Sequence, residues 1–257
     1  MDFINFKFYK TNRRVITIFK VPKEINKPEN TYNWAVGVGT IQQISKNVNG
    51  EEELEPFYKK IKDDFYVFQC NLKAGDTVVR LKGLNSKNFP DRAKKLADKV
   101  NDGDYVQVEG RLNERRFEDN IYREIVVTKI TPVTKNDKPE EYAVANLQGK
   151  IDYIDFDEDE NLLKMILTMP RFNSDEVDEY RIVGVPDDEY VDWLINKTPA
   201  PEEGDVIKVG CDIFNELKRD RFGDIEDVVN QLRIAKITHY HSKNATAETT
   251  DKPKRGF

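Results

Sequence analysis

The chain has 257 residues and a mass of 29.9 kDa, enough for two modest domains that each bury a core. Charged residues make up 34%, apolar residues 38%, and the aromatics (Trp 2, Tyr 11, Phe 14) are numerous enough to exclude disorder of the whole chain. No apolar run approaches about 18 residues and no signal-peptide core follows Met1-Asp2-Phe3-Ile4, so the expectation is a soluble, cytoplasmic protein with no membrane partner.

The net charge of −6 is unevenly divided. Residues 1–136 hold 25 Lys and Arg against 19 Asp and Glu, a balance of +6; residues 137–257 hold 16 against 28, a balance of −12. A basic half suits an anionic ligand, and an acidic half suits scaffolding or a protein partner. Cys70 and Cys211 are isolated and read as small buried hydrophobes in a reducing compartment.

In chain order, Phe3–Tyr9 and Val15–Val21 predict an N-terminal hairpin, followed by a polar linker over Lys23–Asn30. Trp34–Ser45, Phe65–Leu72 and Thr77–Leu84 alternate apolar and polar residues as a three-strand meander. Pro90 opens a helix over Asp91–Val100, whose Ala93, Leu96, Ala97 and Val100 form one apolar stripe before Asn101-Asp102-Gly103 stops it. Tyr105–Asn113 and Ile121–Thr131 then predict a closing hairpin. After a linker at Thr134–Glu140 the pattern returns as Leu147–Phe156, Leu162–Pro170, Glu179–Val185, a helix over Asp187–Lys197, Val206–Phe214 and Val228–His239.

Matched phrases confirm an internal repeat. Val38-Gly39-Thr40-Ile41 aligns with Gln148-Gly149-Lys150-Ile151, Gly103-Asp104-Tyr105-Val106 with Gly204-Asp205-Val206-Ile207, and Thr128-Lys129-Ile130-Thr131 with Ala235-Lys236-Ile237-Thr238. The offsets of 110, 101 and 107 residues drift by loop-sized amounts while the order holds. Three strands, a helix and two strands in about 100 residues is the order of the OB-fold, a five-stranded Greek-key barrel. The expected architecture is therefore all-β with small helices: an N-terminal hairpin and linker (1–30), a first OB domain (31–136), a second (137–241) and a disordered tail (242–257).

No catalytic template fits, so the expected protein is not an enzyme and carries no cofactor or metal. Lys150-Ile151-Asp152-Tyr153 resembles a nucleotidyl-transferase lysine motif but falls on a barrel strand. Asp155, Asp157 and Asp159 have calcium-loop spacing, but Glu160 replaces the required glycine and Ile166 the bidentate Glu, which leaves a solvated turn. His239 and His241 share a strand face without a third ligand.

Binding residues are more readable. Arg111, Arg115, Arg116, Phe117, Tyr122 and Arg123 interleave cations and rings along the hairpin of the fourth and fifth strands, as a flexible polyanion with flat bases requires. Trp34, Tyr66, Phe68, Arg80 and Lys82 extend the candidate surface onto the first three strands. Trp34 shares parity with Val36 and Val38, so core, rim and base platform stay open for it. Either Phe65 and Val67 or Tyr66 and Phe68 face the core, so only one pair meets a ligand.

Gly103-Asp104-Tyr105-Val106-Gln107-Val108-Glu109-Gly110-Arg111-Leu112, with Glu124-Ile125-Val126-Val127 on the return strand, resembles the single-stranded DNA-binding protein family. The second copy keeps Gly204-Asp205-Val206-Ile207-Lys208-Val209-Gly210 but loses Glu-Gly-Arg-Leu. Two fused barrels with an extra hairpin look most like divergent bacteriophage members. The resemblance implies largely sequence-independent binding of single-stranded DNA in replication or recombination. Replication or recombination proteins are implied as further partners, through the acidic second domain or the tail. The family tail ends in acidic residues and Phe; here Lys252-Pro253-Lys254-Arg255-Gly256-Phe257 keeps the Phe and replaces acid with base. An interaction adaptor and an RNA-binding OB protein are the alternative readings.

Overall fold

The computed structural model describes residues 20–25, 27–48, 51–62, 65–117, 120–134, 139–171, 175–219 and 225–244. Apart from Lys20 and Val21, the expected N-terminal hairpin lies outside them, as does the tail from residue 245. The described residues form β1 (Lys23–Glu24), β2 (Tyr32–Gln42), β3 (Ser45–Val48), β4 (Glu51–Leu54), β5 (Tyr58–Lys62), β6 (Phe65–Ala74), β7 (Thr77–Leu84), α1 (Arg92–Ala97), β8 (Tyr105–Phe117) and β9 (Asn120–Pro132). They continue through β10 (Tyr142–Asp157), β11 (Leu162–Pro170), β12 (Val177–Gly184), α2 (Glu189–Ile195), β13 (Val206–Arg219) and β14 (Ile225–His241). Among the described residues no helix is long and apolar enough to cross a membrane.

Strand pairing closes two rings. β2 pairs with β6, β6 with β7, β7 in parallel with β9, β9 with β8, and β8 with β2 again. β10, β11, β12, β14 and β13 repeat that circuit, with β12 and β14 as the parallel pair. This is the OB order in each copy, with α1 and α2 between the third and fourth strands. Alternate residues fill each barrel: Phe68, Cys70, Leu72, Leu81, Val108, Leu112 and Ile125 in the first, and Leu147, Met165, Leu167, Ile182, Val209, Cys211 and Leu232 in the second. Both cysteines are wholly buried, as their isolation predicts, and burial pushes the Cys70 thiol up to about 12.

The matched phrases have matched jobs. Gly103 and Gly204 adopt φ of 82° and 93°, the left-handed region that glycine enters without cost. Their turns let Asp104 and Asp205 accept from the amides of Ile41 and Ile151 at 2.8 Å, while Gly103 and Gly204 donate back to the same two residues. The fourth strand of each barrel is thereby clipped to its first. Gly39 and Gly149 serve the close approach of the first strand to the second: a Cβ there would stand 2.1 Å from the Lys73 carbonyl oxygen and 2.7 Å from that of Thr168.

The barrels are joined edge to edge. β2 and β10 pair antiparallel from Tyr142↔Val38 to Gln148↔Tyr32, which merges both rings into one twelve-stranded sheet. The segment before the first barrel crosses to the second, where β1 adds in parallel to β14. Elements beyond the sequence reading lie between the first two strands of the first barrel: the β3–β4 ribbon and β5, the latter paired with the edge of β6. The Asp155–Asp159 stretch ends in the expected turn, with Asp157 accepting from the Glu160 amide at 2.9 Å.

Candidate nucleic-acid interface

The polar side of β6, β7, β9 and β8 forms one outer face on the first barrel. Register sets Gln69 opposite Lys82 and Asn71 opposite Arg80 across β6 and β7, then Arg80 opposite Glu124 and Lys82 opposite Val126 on β9. Glu124 stands opposite Asn113 on β8, and Tyr122 opposite Arg115. The inward partners on the same strands are apolar, so the alternation that fills the barrel also gathers Arg80, Lys82, Arg115 and Tyr122 on its exterior.

Two carboxylates organise the cations. Glu124 receives Asn113 at 2.9 Å and Arg115 at 3.0 Å, with Lys82 at 3.7 Å. Glu55, which follows β4, is bonded by Lys46, by Lys59 at 2.7 Å and by Gln69 at 2.6 Å. These side-chain bonds from Lys46 and Lys59 hold its carboxyl down at about 2. Arg80 sits between the clusters, 3.5 Å from Gln69, and its pKa is lowered by burial against the pull of Glu55 and Glu124. Five cations (Lys46, Lys59, Arg80, Lys82 and Arg115) thus surround two carboxylates, a net positive face on which Lys46 and Arg115 are exposed. At its edge Tyr58 and Tyr66 stack with centroids 5.0 Å apart and planes 8° from parallel, with the Lys60 ammonium 5.9 Å from the Tyr66 ring.

Other sequence-predicted residues separate. Arg111, Arg116 and Tyr122 are exposed along β8 and β9, Tyr122 at 55%. The side chain of Phe117 lies outside the described residues. Trp34 is not in the core: it is half-buried on the outer face of the β2–β10 joint, opposite Asn146 and away from Arg80 and Lys82. Of the two parities open to β6, the barrel takes the one that turns Phe68, Cys70 and Leu72 inward. Phe68 is wholly buried among the first barrel's core side chains, so it is withdrawn from the surface, while Val67 on the opposite side of the strand is buried too. Tyr66 shares parity with Phe68 but lies at the mouth of the strand and stays half-exposed, and Phe65 is 39% exposed.

Arg123, expected on the binding hairpin, is buried instead. Its side chain and that of Glu114 are each 2% exposed and pair at 2.8 Å. The guanidinium also donates to the Asn230 carbonyl at 2.7 Å and to the Arg181 carbonyl at 3.1 Å. It sits on the inner side of the hairpin, past the end of its own barrel, where the second barrel covers it. Burial lowers its pKa while Glu114 opposes that shift. A phosphate has no access to it.

Residues missing from the sequence reading are Gln69, Asn71 and Asn113 on the face, Glu55 and Glu124 that order it, and Lys46 and Lys59 from the arm. Their signal is cross-strand register, which a single strand does not display. Phe89, 56% exposed with the Arg92 guanidinium 4.4 Å above its ring, is a further exposed aromatic before α1.

The equivalent face of the second barrel differs. Lys164 pairs with Asp157 at 2.8 Å and Glu160 at 2.9 Å, Arg171 with Asp178 at 2.9 Å and with Glu176, and Arg181 with Glu179 at 2.9 Å and Glu114 at 3.3 Å. Each cation on or beside β11 and β12 is spent on carboxylates. Among the described residues no group of three His, Cys, Asp or Glu could hold a metal ion.

No protein-family model and no curated protein matches the chain. Among solved structures, the wild-type single-stranded DNA binding protein from Thermus aquaticus is similar at 14% identity and a TM-score of 0.49, over 85% of this chain and 97% of that one. The second single-stranded DNA binding protein from Mycobacterium smegmatis is similar at 16% identity and a TM-score of 0.28, over 40% and 87% of the two chains. The small single-stranded DNA-binding protein from Streptomyces coelicolor is similar at 15% identity and a TM-score of 0.23, over 45% and 100%. The OB assignment of this chain rests on its strand pairing.

Proposed function

We propose that this protein binds single-stranded DNA without catalysis and with little sequence preference, through the outer face of β6, β7, β9 and β8. The observation that carries the reading is the gathering of Arg80, Lys82 and Arg115 with amide side chains and exposed Tyr122 on one face of the first barrel. OB barrels take oligonucleotides on the face of their second and third strands, between the loop that follows the first strand and the loop that joins the fourth and fifth. In this chain those loops are the β3–β4–β5 arm and the tip of the β8–β9 hairpin. Cations along the face neutralise phosphates, and rings at its edges offer stacking surfaces that accept any base. The role this supports is holding unwound strands during replication or recombination, in the bacteriophage setting that two fused barrels with an extra hairpin suggest. Titration of the full chain with deoxyribo- and ribo-oligonucleotides tests it through intrinsic fluorescence. Quenching by the deoxyribo-oligonucleotide supports the reading, tighter ribo-oligonucleotide binding favours an RNA ligand, and no quenching by either removes nucleic acid as the partner.

A further inference from the structure

Where the barrels join, the outer surface carries a row of side chains separate from the β6–β7 face. Tyr32 of β2 stands opposite Gln148 of β10, Gln148 opposite Lys208 of β13, Lys208 opposite His239 of β14, and His239 opposite Lys23 of β1. Four interstrand spacings of about 4.8 Å make this a line of roughly 19 Å. The neighbours of these residues, Leu147, Ile207 and Val209 among them, face the barrel core.

Gln148 is held in place, donating to the Asn30 carbonyl at 2.6 Å. That bond seats the segment before β2 along the row and leaves a cleft of about 680 Å³ lined by Ile25, Lys27, Glu29, Tyr32, Gln148 and Lys208. The Lys208 ammonium lies 4.4 Å from the centre of the Tyr32 ring, which is still 41% exposed. Among the described residues, Lys23, Lys27 and Lys208 form no ion pair, unlike Lys164, Arg171 and Arg181 of the same barrel. The acids nearby are Glu29 on the cleft and Glu24, which stands 3.4 Å from His241. His239 registers the positive field: burial, then Lys208 and Lys23, lower its pKa.

We infer that this row is a second seat for single-stranded nucleic acid, in which a base stacks on the open face of Tyr32 and phosphates meet Lys208 and Lys23 on either side of His239. It rests on the proposed single-strand binding and extends it. The acidic half of the chain takes part through the outer side of β13, β14 and β1, not through its carboxylate-locked β11–β12 face. A long strand engages both seats; a short one fills only the first barrel.

The test uses full-length protein and labelled thymidine oligomers of about 10 and about 30 nucleotides, chosen against the reach of about 4–16 nucleotides for one OB barrel. Lys23→Ala/Lys208→Ala is expected to bind the short oligomer within about twofold of the parent and the long one about tenfold more weakly. Its salt slope on the long oligomer should be shallower by about 1.4, from two lost phosphate contacts at about 0.7 each. Unchanged affinity for the long oligomer overturns the proposal, and so does an equal loss at both lengths, which would merge the row with the first face. A second measurement leaves the row intact. Trp193→Phe makes Trp34, two residues from Tyr32 on the same side of β2, the sole tryptophan, and only the long oligomer should quench it. No quenching, or equal quenching at both lengths, contradicts the second seat. If the parent binds neither oligomer, the failure lies with single-strand binding itself.

Discussion

Arg123 and Asn230 occupy equivalent positions on the fifth strands of the two barrels and bond to each other. The offset between them is the 107 residues that separates Thr128 from Ala235. Arg123 donates to the Asn230 carbonyl at 2.7 Å and to its Oδ1 at 2.6 Å, and Asn230 returns its Nδ2 to the Ile121 carbonyl at 2.9 Å. The same relation recurs one step outward. Glu114 of β8 receives Arg181 of the second barrel at 3.3 Å, and its repeat equivalent Asn215 of β13 donates to the Val78 carbonyl of the first at 2.9 Å. Each closing hairpin lays its inner side on the other barrel, so the two copies meet about a local two-fold axis near Arg123 and Asn230.

This makes Arg123 structural. Arg123→Ala leaves the buried Glu114 carboxylate with only the longer 3.3 Å contact from Arg181, and loss of one member of a buried pair costs up to about 3–5 kcal/mol. Denaturant unfolding should show that loss. Replacing both members, as Arg123→Met/Glu114→Leu, should recover most of it, because two apolar groups leave no buried charge. Neither change should alter the salt slope of oligonucleotide binding for protein that remains folded.

Arg80 and Lys82 should behave in the opposite way. Arg80→Ala/Lys82→Ala removes two cations from the β7 face, so the slope of log affinity against log salt should flatten by about 1.4. Anisotropy at several salt concentrations reads this directly. A slope equal to that of the parent would place the ligand elsewhere.

Glu55 predicts a pH dependence of the arm. Its carboxyl is held at about 2 by Lys46 and Lys59, below the ordinary 4.5 of an unfolded chain. A carboxylate whose folded pKa is depressed contributes stability that is fully present above about pH 4.5 and lost as pH falls toward 2. Between those limits, Glu55→Gln should lose less stability with acid than the parent. Parallel stability curves for the two would show that the Glu55 contacts do not persist in solution.

The close approach at Gly39 predicts the effect of one added carbon. A Cβ there would meet the Lys73 carbonyl oxygen at 2.1 Å, so Gly39→Ala must push β2 from β6 at the point where the first barrel closes. A loss of about 2–4 kcal/mol in thermal or chemical unfolding is expected, in the range of severe core changes. Gly75→Ala is the contrast. It has open space around the new Cβ but a φ of 63°, so its cost should stay near about 1 kcal/mol.

The repeat was the most legible feature because its phrases carry backbone duties that few residues can perform. Gly103-Asp104 and Gly204-Asp205 make the same turn and the same clip, and nearly every barrel strand follows from alternation around them. The β3–β4–β5 arm was not legible, since Glu51-Glu52-Glu53 and Lys59-Lys60 lack an apolar period and their order comes from Glu55 and the edge of β6. Arg123 marks a different limit. Its position beside Tyr122 reads as part of a basic hairpin within one copy, and only the second copy, folded against it, turns it into a buried strut. Phe68 shows the same limit within a strand, where two parity assignments are equally consistent until the barrel closes on one.

In the proposed function, the first barrel's outer face holds a single strand by its phosphates. The most direct measurement is fluorescence anisotropy of a labelled thymidine oligomer of about 10 nucleotides with the full chain, across a range of salt. Binding whose log affinity falls with log salt at a slope of about −2, from three contacts by Arg80, Lys82 and Arg115 at about 0.7 each, is the predicted result. Absence of binding, or binding indifferent to salt, would contradict it.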